Sequence, residues 1–295
     1  DVPASTLAEI RSFNPNVKIL AYIPINGTWE AAPLFPAGSK WREMYEVCEA
    51  NDWWMYNTNG DHVYDHPGKW TANMTVDCPV NGQGKRFTDW FPDFISQSVL
   101  QTGASPWDGV ILDDVWVGIY FINANTELNP FPIDANRDGE ADGQTQLDAL
   151  WRTGNESVVN RLRQIMPANE ILIGNGGNPF YQMNGAMIET FPFKGLPEGH
   201  PLGFTWTSKM FGTYGYFQNE DNYSANPIKM NVVNTKWALG DRNDPLRTAE
   251  FERQKRFVLA STMLRDGYFS IDYAPETGGG HFSIWIEPEF TKPIG

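Results

Sequence analysis

Asp108-Gly109-Val110-Ile111-Leu112-Asp113-Asp114 (DGVILDD) is the stretch whose reading decides the fold. Residues 109–113 form a short aliphatic run, apolar on both faces, that stops at two acids. Outward from it the chain repeats one rhythm: a β-branched or aromatic run, a polar loop, then a stretch with helical spacing. That alternation predicts βα units around a parallel sheet. Eight strands are expected, at 17–23 (VKILAYI), 53–56 (WWMY), 74–77 (MTVD), 109–113, 170–174 (EILIG), 185–189 (GAMIE), 229–234 (KMNVVN) and 267–272 (GYFSID). Helices are expected at 40–50, 87–100, 144–166 and 245–265; in the first, Trp41, Met44, Tyr45 and Cys48 fall at helical spacing.

Eight such units in 295 residues fit an α/β fold of the (β/α)8 TIM-barrel type, which typically takes ~250 residues. The reading is one domain over residues 1–295, with the aromatic tail 281–295 packing back on the barrel. A doubly wound open sheet is the rival, but the first strand leads into Pro24-Ile25-Asn26-Gly27-Thr28-Trp29, not a G-x-G-x-x-G loop.

Formal charge is −14 and the isoelectric point about 4.7. An acidic surface repels nucleic acid on average, so no nucleic-acid partner is expected. No apolar stretch reaches the ~20 residues of a membrane span. The chain starts at Asp1 without Met and reads as a trimmed, secreted protein, expected to be a monomer. Cys48 and Cys78 have no metal-binding spacing, and whether they are bridged stays open. His62 and His66 stand four apart, but Gly60, Asp61, Asp65, Pro67 and Gly68 make that stretch loop-like and argue against a metal site there. Neither a nucleophile elbow nor a P-loop is present.

In (β/α)8 barrels the active site lies at the C-terminal strand ends. Asp77, Asp113, Asp114, Glu189 and Asp272 fall at such ends, with Asn175 after the fifth strand. Gathering acids at one rim is costly, so chemistry is the better reason for it. By the alternation of side chains, Ile111 and Asp113 share one face of the fourth strand, and Leu112 and Asp114 the other. Asp113 and Glu189 are taken to point into the mouth, with Asp114 facing a neighbouring helix or capping its first turn. Two carboxyl groups with different tasks suit hydrolysis of a glycosidic bond. Retaining and inverting geometries both stay open, because the sequence does not set the carboxylate separation. Tyr22, Trp54, Tyr56, Asp77, Asp114, Trp116, Asn175 and Asp272 are the candidate sugar contacts, since aromatic faces and polar edges suit sugars. Trp29, Trp206 and Trp237 are possible rim platforms.

DGVILDD resembles the D-G-V-x-L-D-[DN] signature of barrels near the endo-α-1,4-polygalactosaminidases. With ILIGNGG (171–177), GAMIETF (185–191) and IDY (271–273), the chain also resembles hypothetical glycoside hydrolase family 15. The resemblance implies Asp113 as nucleophile and Glu189 as acid/base of an O-glycosyl hydrolase on a poly- or oligosaccharide, retaining in outcome and without an organic cofactor. The tail departs from the pattern, with Ile284-Trp285-Ile286-Glu287 in place of the aromatic ending expected of the family. A non-catalytic glycan-binding barrel is the alternative function.

The long loop after the fourth strand holds a second motif. Asp134, Asn136, Asp138, Gly139, Glu140 (through its carbonyl) and Asp142 occupy positions 1, 3, 5, 6, 7 and 9 of an EF-hand-type calcium loop. Position 12 is Thr145, so Asp148 is expected to reach back as a further ligand. The run resembles calcium loops of extracellular modules such as dockerins, and a structural Ca2+ is the expectation.

Overall fold

The computed structural model describes residues 2–101, 106–123, 127–176, 180–191, 205–223, 228–238 and 245–274. The tail 281–295, expected to pack back on the fold, lies outside them. The chain divides into two compact units: residues 1–186 with 222–230, and residues 187–221 with 231–295.

The first unit holds helices α1 (Ala4–Phe13), α2 (Lys40–Asn51), α3 (Phe87–Phe94), α4 (Tyr120–Asn123) and α5 (Gln144–Ile165). Its strands are β1 (Leu20–Pro24), β2 (Gly27–Trp29), β3 (Tyr56–Asn57), β4 (Tyr64–His66), β5 (Lys69–Thr71), β6 (Gly109–Asp113), β7 (Ile133–Asp134) and β8 (Ile171–Asn175). β1, β6 and β8 run parallel in that order, with β6, the DGVILDD strand, in the middle. The register aligns Tyr22, Ile111 and Ile173, so these three share a face, and Asp113 stands one step further along it. Ala21, Ile23, Val110, Leu112 and Leu172 occupy the opposite face and are buried. Against that core lie Phe87, Phe91 and Phe94 of α3, and Leu147, Trp151, Val158 and Leu162 of α5. Both sets recur at three- and four-residue intervals, the stripe that a helix turns inward.

β9 (Gly185–Ile188) carries the chain into the second unit, which adds α6 (Trp206–Phe211), α7 (Tyr216–Asn222), β10 (Val232–Ala238), α8 (Pro245–Thr262) and β11 (Tyr268–Ala274). There β10 pairs in parallel with β9 on one side and β11 on the other. Six parallel strands are thus observed among the described residues, and the expected alternation holds in part: no helix stands between β8 and β9 there.

Two of the eight expected strands are not of this kind. Residues 53–56 enter antiparallel pairings: Trp54 bridges Ala72, and β3 pairs with β7. β4, β5 and β2 form a further small antiparallel sheet. Residues 74–77 form a turn, because local side chains capture the backbone. Asn73 Oδ1 accepts from the Thr75 N–H (3.0 Å), and Thr75 Oγ1 from the Asp77 N–H (3.2 Å). Asp77 is therefore on an exposed turn, not at a strand end. The helix expected at 87–100 ends at Phe94 and continues as a wider π-helical turn over Ile95–Val99.

The central strand is pinned at its start. The Asp108 carboxylate receives Arg11 Nη2 at 2.6 Å, the Ile19 N–H at 2.9 Å and Lys18 Nζ at 3.3 Å. Burial raises its pKa, but these three donors outweigh burial and hold it below the usual value. Gly109 follows with φ of 155°, and a Cβ there would stand 1.9 Å from the Ile171 carbonyl oxygen. No side chain fits between β6 and β8 at that point. Gly109→Ala is accordingly expected to destabilise the fold by about 3 kcal/mol, read as a lower urea midpoint; an unchanged midpoint would refute the packing constraint.

Candidate active site

β6 delivers Asp113 to the end of the parallel strands, half-buried and held from three directions. Its Oδ2 accepts the Tyr22 hydroxyl from β1. Its Oδ1 accepts Asn175 Nδ2 from β8 at 2.9 Å and the Asp114 N–H at 2.9 Å. Tyr22 is 54% exposed, Asn175 only 9%. Three donors fix its orientation. The structure brings together Tyr22, Asn175 and Asp113, all of them candidate site residues from the sequence.

Asp114 departs from expectation. It caps no helix, because its backbone turns into the left-handed region at φ 58° and carries the carboxylate to Lys69. The Lys69 Nζ donates to Asp114 Oδ2 (2.7 Å), Asp65 Oδ2 (2.5 Å) and Asn26 Oδ1 (2.9 Å). Lys69 is 3% exposed, so all three ammonium protons are used inside the protein. Burial pushes the Asp114 carboxyl up to about 6; Lys69 opposes that rise, while Asp113 and Asp65 add to it. Around this centre, His66 Nδ1 lies 3.3 Å from Asp65 Oδ1. That contact raises the His66 pKa against the lowering effect of burial. The Trp116 ring, half-buried, stands 5.9 Å from His66 and 4.9 Å edge-on from Phe121. The ligand atoms of Asp65, His66 and Asp114 lie within 4.8 Å of one another, but Lys69 Nζ already donates to two of these residues, Asp65 and Asp114.

Lys69 and Asn26 escaped the sequence reading, and Asp65 and His66 were read only as part of a loop unsuited to a metal. DHPGK reads as a loop, and a lone lysine gives no sign of burial until β4 and β5 fold back on the β6 end.

Trp54 is not a sugar contact in this structure: it is 1% exposed, its Nε1 donates to Glu49, and its ring packs on Tyr45 and Trp70. Tyr56 donates to Asp52 at 2.9 Å and lies 4.4 Å below the Arg137 guanidinium; burial and the Asp52 contact push its hydroxyl up to about 12. It sits beside the 134–142 loop, away from the Asp113 group of contacts. Asp272 lies in β11 opposite Lys236. In the second unit, Glu189 directly follows β9 and is half-buried. Its carbonyl accepts Lys209 Nζ at 2.7 Å, and the next strand holds the turn through the Phe191 N–H to Asn234 O bond.

The 134–142 loop folds around its first aspartate. Asp134 accepts from the Asp138 and Gly139 N–H groups, Asp138 from Glu140, and Asp142 from Ala135. Burial raises the Asp142 pKa, and Asp134, Asp77 and Asp138 raise it further. Asp77 is thereby placed beside this loop, not beside Asp113. Asp148 does not follow the expected reach toward the loop. Its Oδ1 accepts from the N–H groups of Ile119 and Tyr120, at 2.7 and 2.9 Å, and caps α4.

Cys48 and Cys78 are both buried free thiols, each with its pKa raised chiefly by burial. Among the described residues no helix is long and apolar enough to cross a membrane.

No curated protein matches the chain. The family model described as hypothetical glycosyl hydrolase family 15 matches residues 11–295, which takes in both units and every candidate site residue. On that coverage the chain belongs to hypothetical glycosyl hydrolase family 15.

Proposed function

We propose that the protein hydrolyses O-glycosidic bonds of a poly- or oligosaccharide, with Asp113 as nucleophile and Glu189 as acid/base. The observation that carries this reading is the three-donor clamp on Asp113, which keeps an oriented, half-exposed carboxylate at a strand end. Glu189 is the residue that directly follows β9. In the proposed course, an Asp113 oxygen attacks the anomeric carbon as Glu189 gives its proton to the departing sugar oxygen. Water then cleaves the glycosyl–Asp113 ester as Glu189 takes a proton back, so configuration is retained. Tyr22, Asn175 and Trp116 are the sugar-facing candidates, and no organic cofactor takes part. A secreted, monomeric, barrel-like α/β domain spanning residues 1–295 is the setting of this proposal.

The proposal includes a structural Ca2+ at Asp134, Asn136, Asp138, the Glu140 carbonyl and Asp142. Asp134, Asp138 and the neighbouring Asp77 act on Asp142 as like charges, and a hard divalent cation suits such oxygen donors. The ion would order the insertion and supply no chemistry.

Asp113→Asn and Glu189→Gln should each lower kcat on a responsive glycan by about a thousandfold or more, with unchanged thermal midpoints. Activity that survives both would sink the assignment, and binding without cleavage by the wild-type protein would favour a glycan-binding barrel. Calcium at about a hundred times its Kd should stabilise the fold by about 2.7 kcal/mol, seen as a higher melting temperature lost in Asp134→Ala. A melting temperature indifferent to calcium and chelator would refute the ion site.

A further inference from the structure

Resting on the reading of Asp113 as a catalytic carboxylate, we propose that Lys69 is the positioning residue of this site. Its buried ammonium holds Asp114 away from Asp113, and the backbone of Asp114 in turn fixes Asp113. The geometry runs in one line. Lys69 Nζ grips Asp114 Oδ2 at 2.7 Å. That grip sets the left-handed turn at Asp114, φ 58°. The turn aims the Asp114 N–H at Asp113 Oδ1, 2.9 Å away. Asp65, whose side chain is fully buried, and Asn26 hold Lys69 from behind.

Every segment packed here contributes a group to the balance: Tyr22 from β1, Asn26 from the following turn, Asp65 and His66 from β4, Lys69 from β5, and Asp113 with Asp114 from the end of β6. Asp65 and Asp114 are two carboxylates on a single buried ammonium, with Asp113 the next residue along the chain and the half-exposed His66 at the margin. Without Lys69, the Asp114 carboxyl would lose the cation that opposes its rise and the anchor beside the N–H that it aims at Asp113. Lys69 touches no substrate in this account; it acts through Asp114.

Asp65 and Lys69 push Asp114 in opposite directions, which separates positioning from mere packing. The test is a carboxyl-carbon NMR titration of 13C-aspartate-labelled protein in wild type, Lys69→Met, Lys69→Arg and Asp65→Asn. The Asp114 midpoint is expected to rise by about one pH unit or more in Lys69→Met, to fall in Asp65→Asn, and to return toward the wild-type value in Lys69→Arg. On a responsive glycan, kcat should fall in Lys69→Met and recover in Lys69→Arg, while KM changes little. An Asp114 midpoint that stays put, or moves alike in Lys69→Met and Asp65→Asn, overturns the proposal. If Lys69→Met does not fold, Asp65→Asn decides alone, a fall supporting the proposal and no change overturning it. The titration needs no substrate, so a protein that cuts no glycan would sink the hydrolase reading and still leave Lys69 tested.

Discussion

Two carboxylates on consecutive residues at one strand end repel each other, and the architecture of the first unit answers that repulsion. β6 brings Asp113 and Asp114 to the same place, and the backbone then sends them apart. Asp113 stays on the face of Tyr22, Ile111 and Ile173, where neutral donors steady its charge. Asp114 turns toward β4 and β5, where an ammonium cancels it. The small antiparallel sheet is thus not decoration on a βα unit, since it carries Asp65 and Lys69 beneath the Asp113–Asp114 corner. A buried ion pair adds little net stability on average, because desolvation offsets attraction. Its worth here lies in directing two like charges to different tasks.

Other features follow from the same placement. The strand that ends in the acid pair begins at Asp108, locked by Arg11, Lys18 and the Ile19 backbone. At Gly109 it approaches β8 more closely than any side chain would permit. Fixed at its start, the strand has little freedom to slide at its end. Asn175, at the end of the neighbouring β8, adds to that rigidity: its amide holds the Asp113 carboxylate, and its carbonyl accepts the Val115 N–H. The insertion after β6 is ordered at two stations, Asp148 capping α4 and Asp134 gathering the 134–142 turn.

The parallel strands were legible as short runs rich in apolar residues; 109–113 was read to the residue, and the bounds of the others are displaced by up to four residues. Tyr22 and Asn175 could be placed near Asp113 because strand ends and side-chain parity are local properties, and the structure brings the three together. Residues 53–56 and 74–77 were misread because an aromatic run and a Met-Thr-Val-Asp run carry strand propensity, while their fate is decided by distant or side-chain partners. Trp54 was read as a sugar contact on aromatic content alone, which does not separate a platform from a core ring. Lys69 was invisible: its burial comes from Asn26, Asp65 and Asp114, which are up to 45 residues away in the chain. Membership of hypothetical glycosyl hydrolase family 15 agrees with the motifs quoted from the strand ends.

The central claim is that Asp113 attacks the sugar directly and that Glu189 serves both halves of the reaction. Proton NMR of the first sugar released from a cleaved glycan tests it most directly, because anomeric configuration is read before mutarotation. The account predicts a product with the anomeric configuration of the bond that was cut. A first product of inverted configuration would show water attacking in one step and would contradict the role given to Asp113.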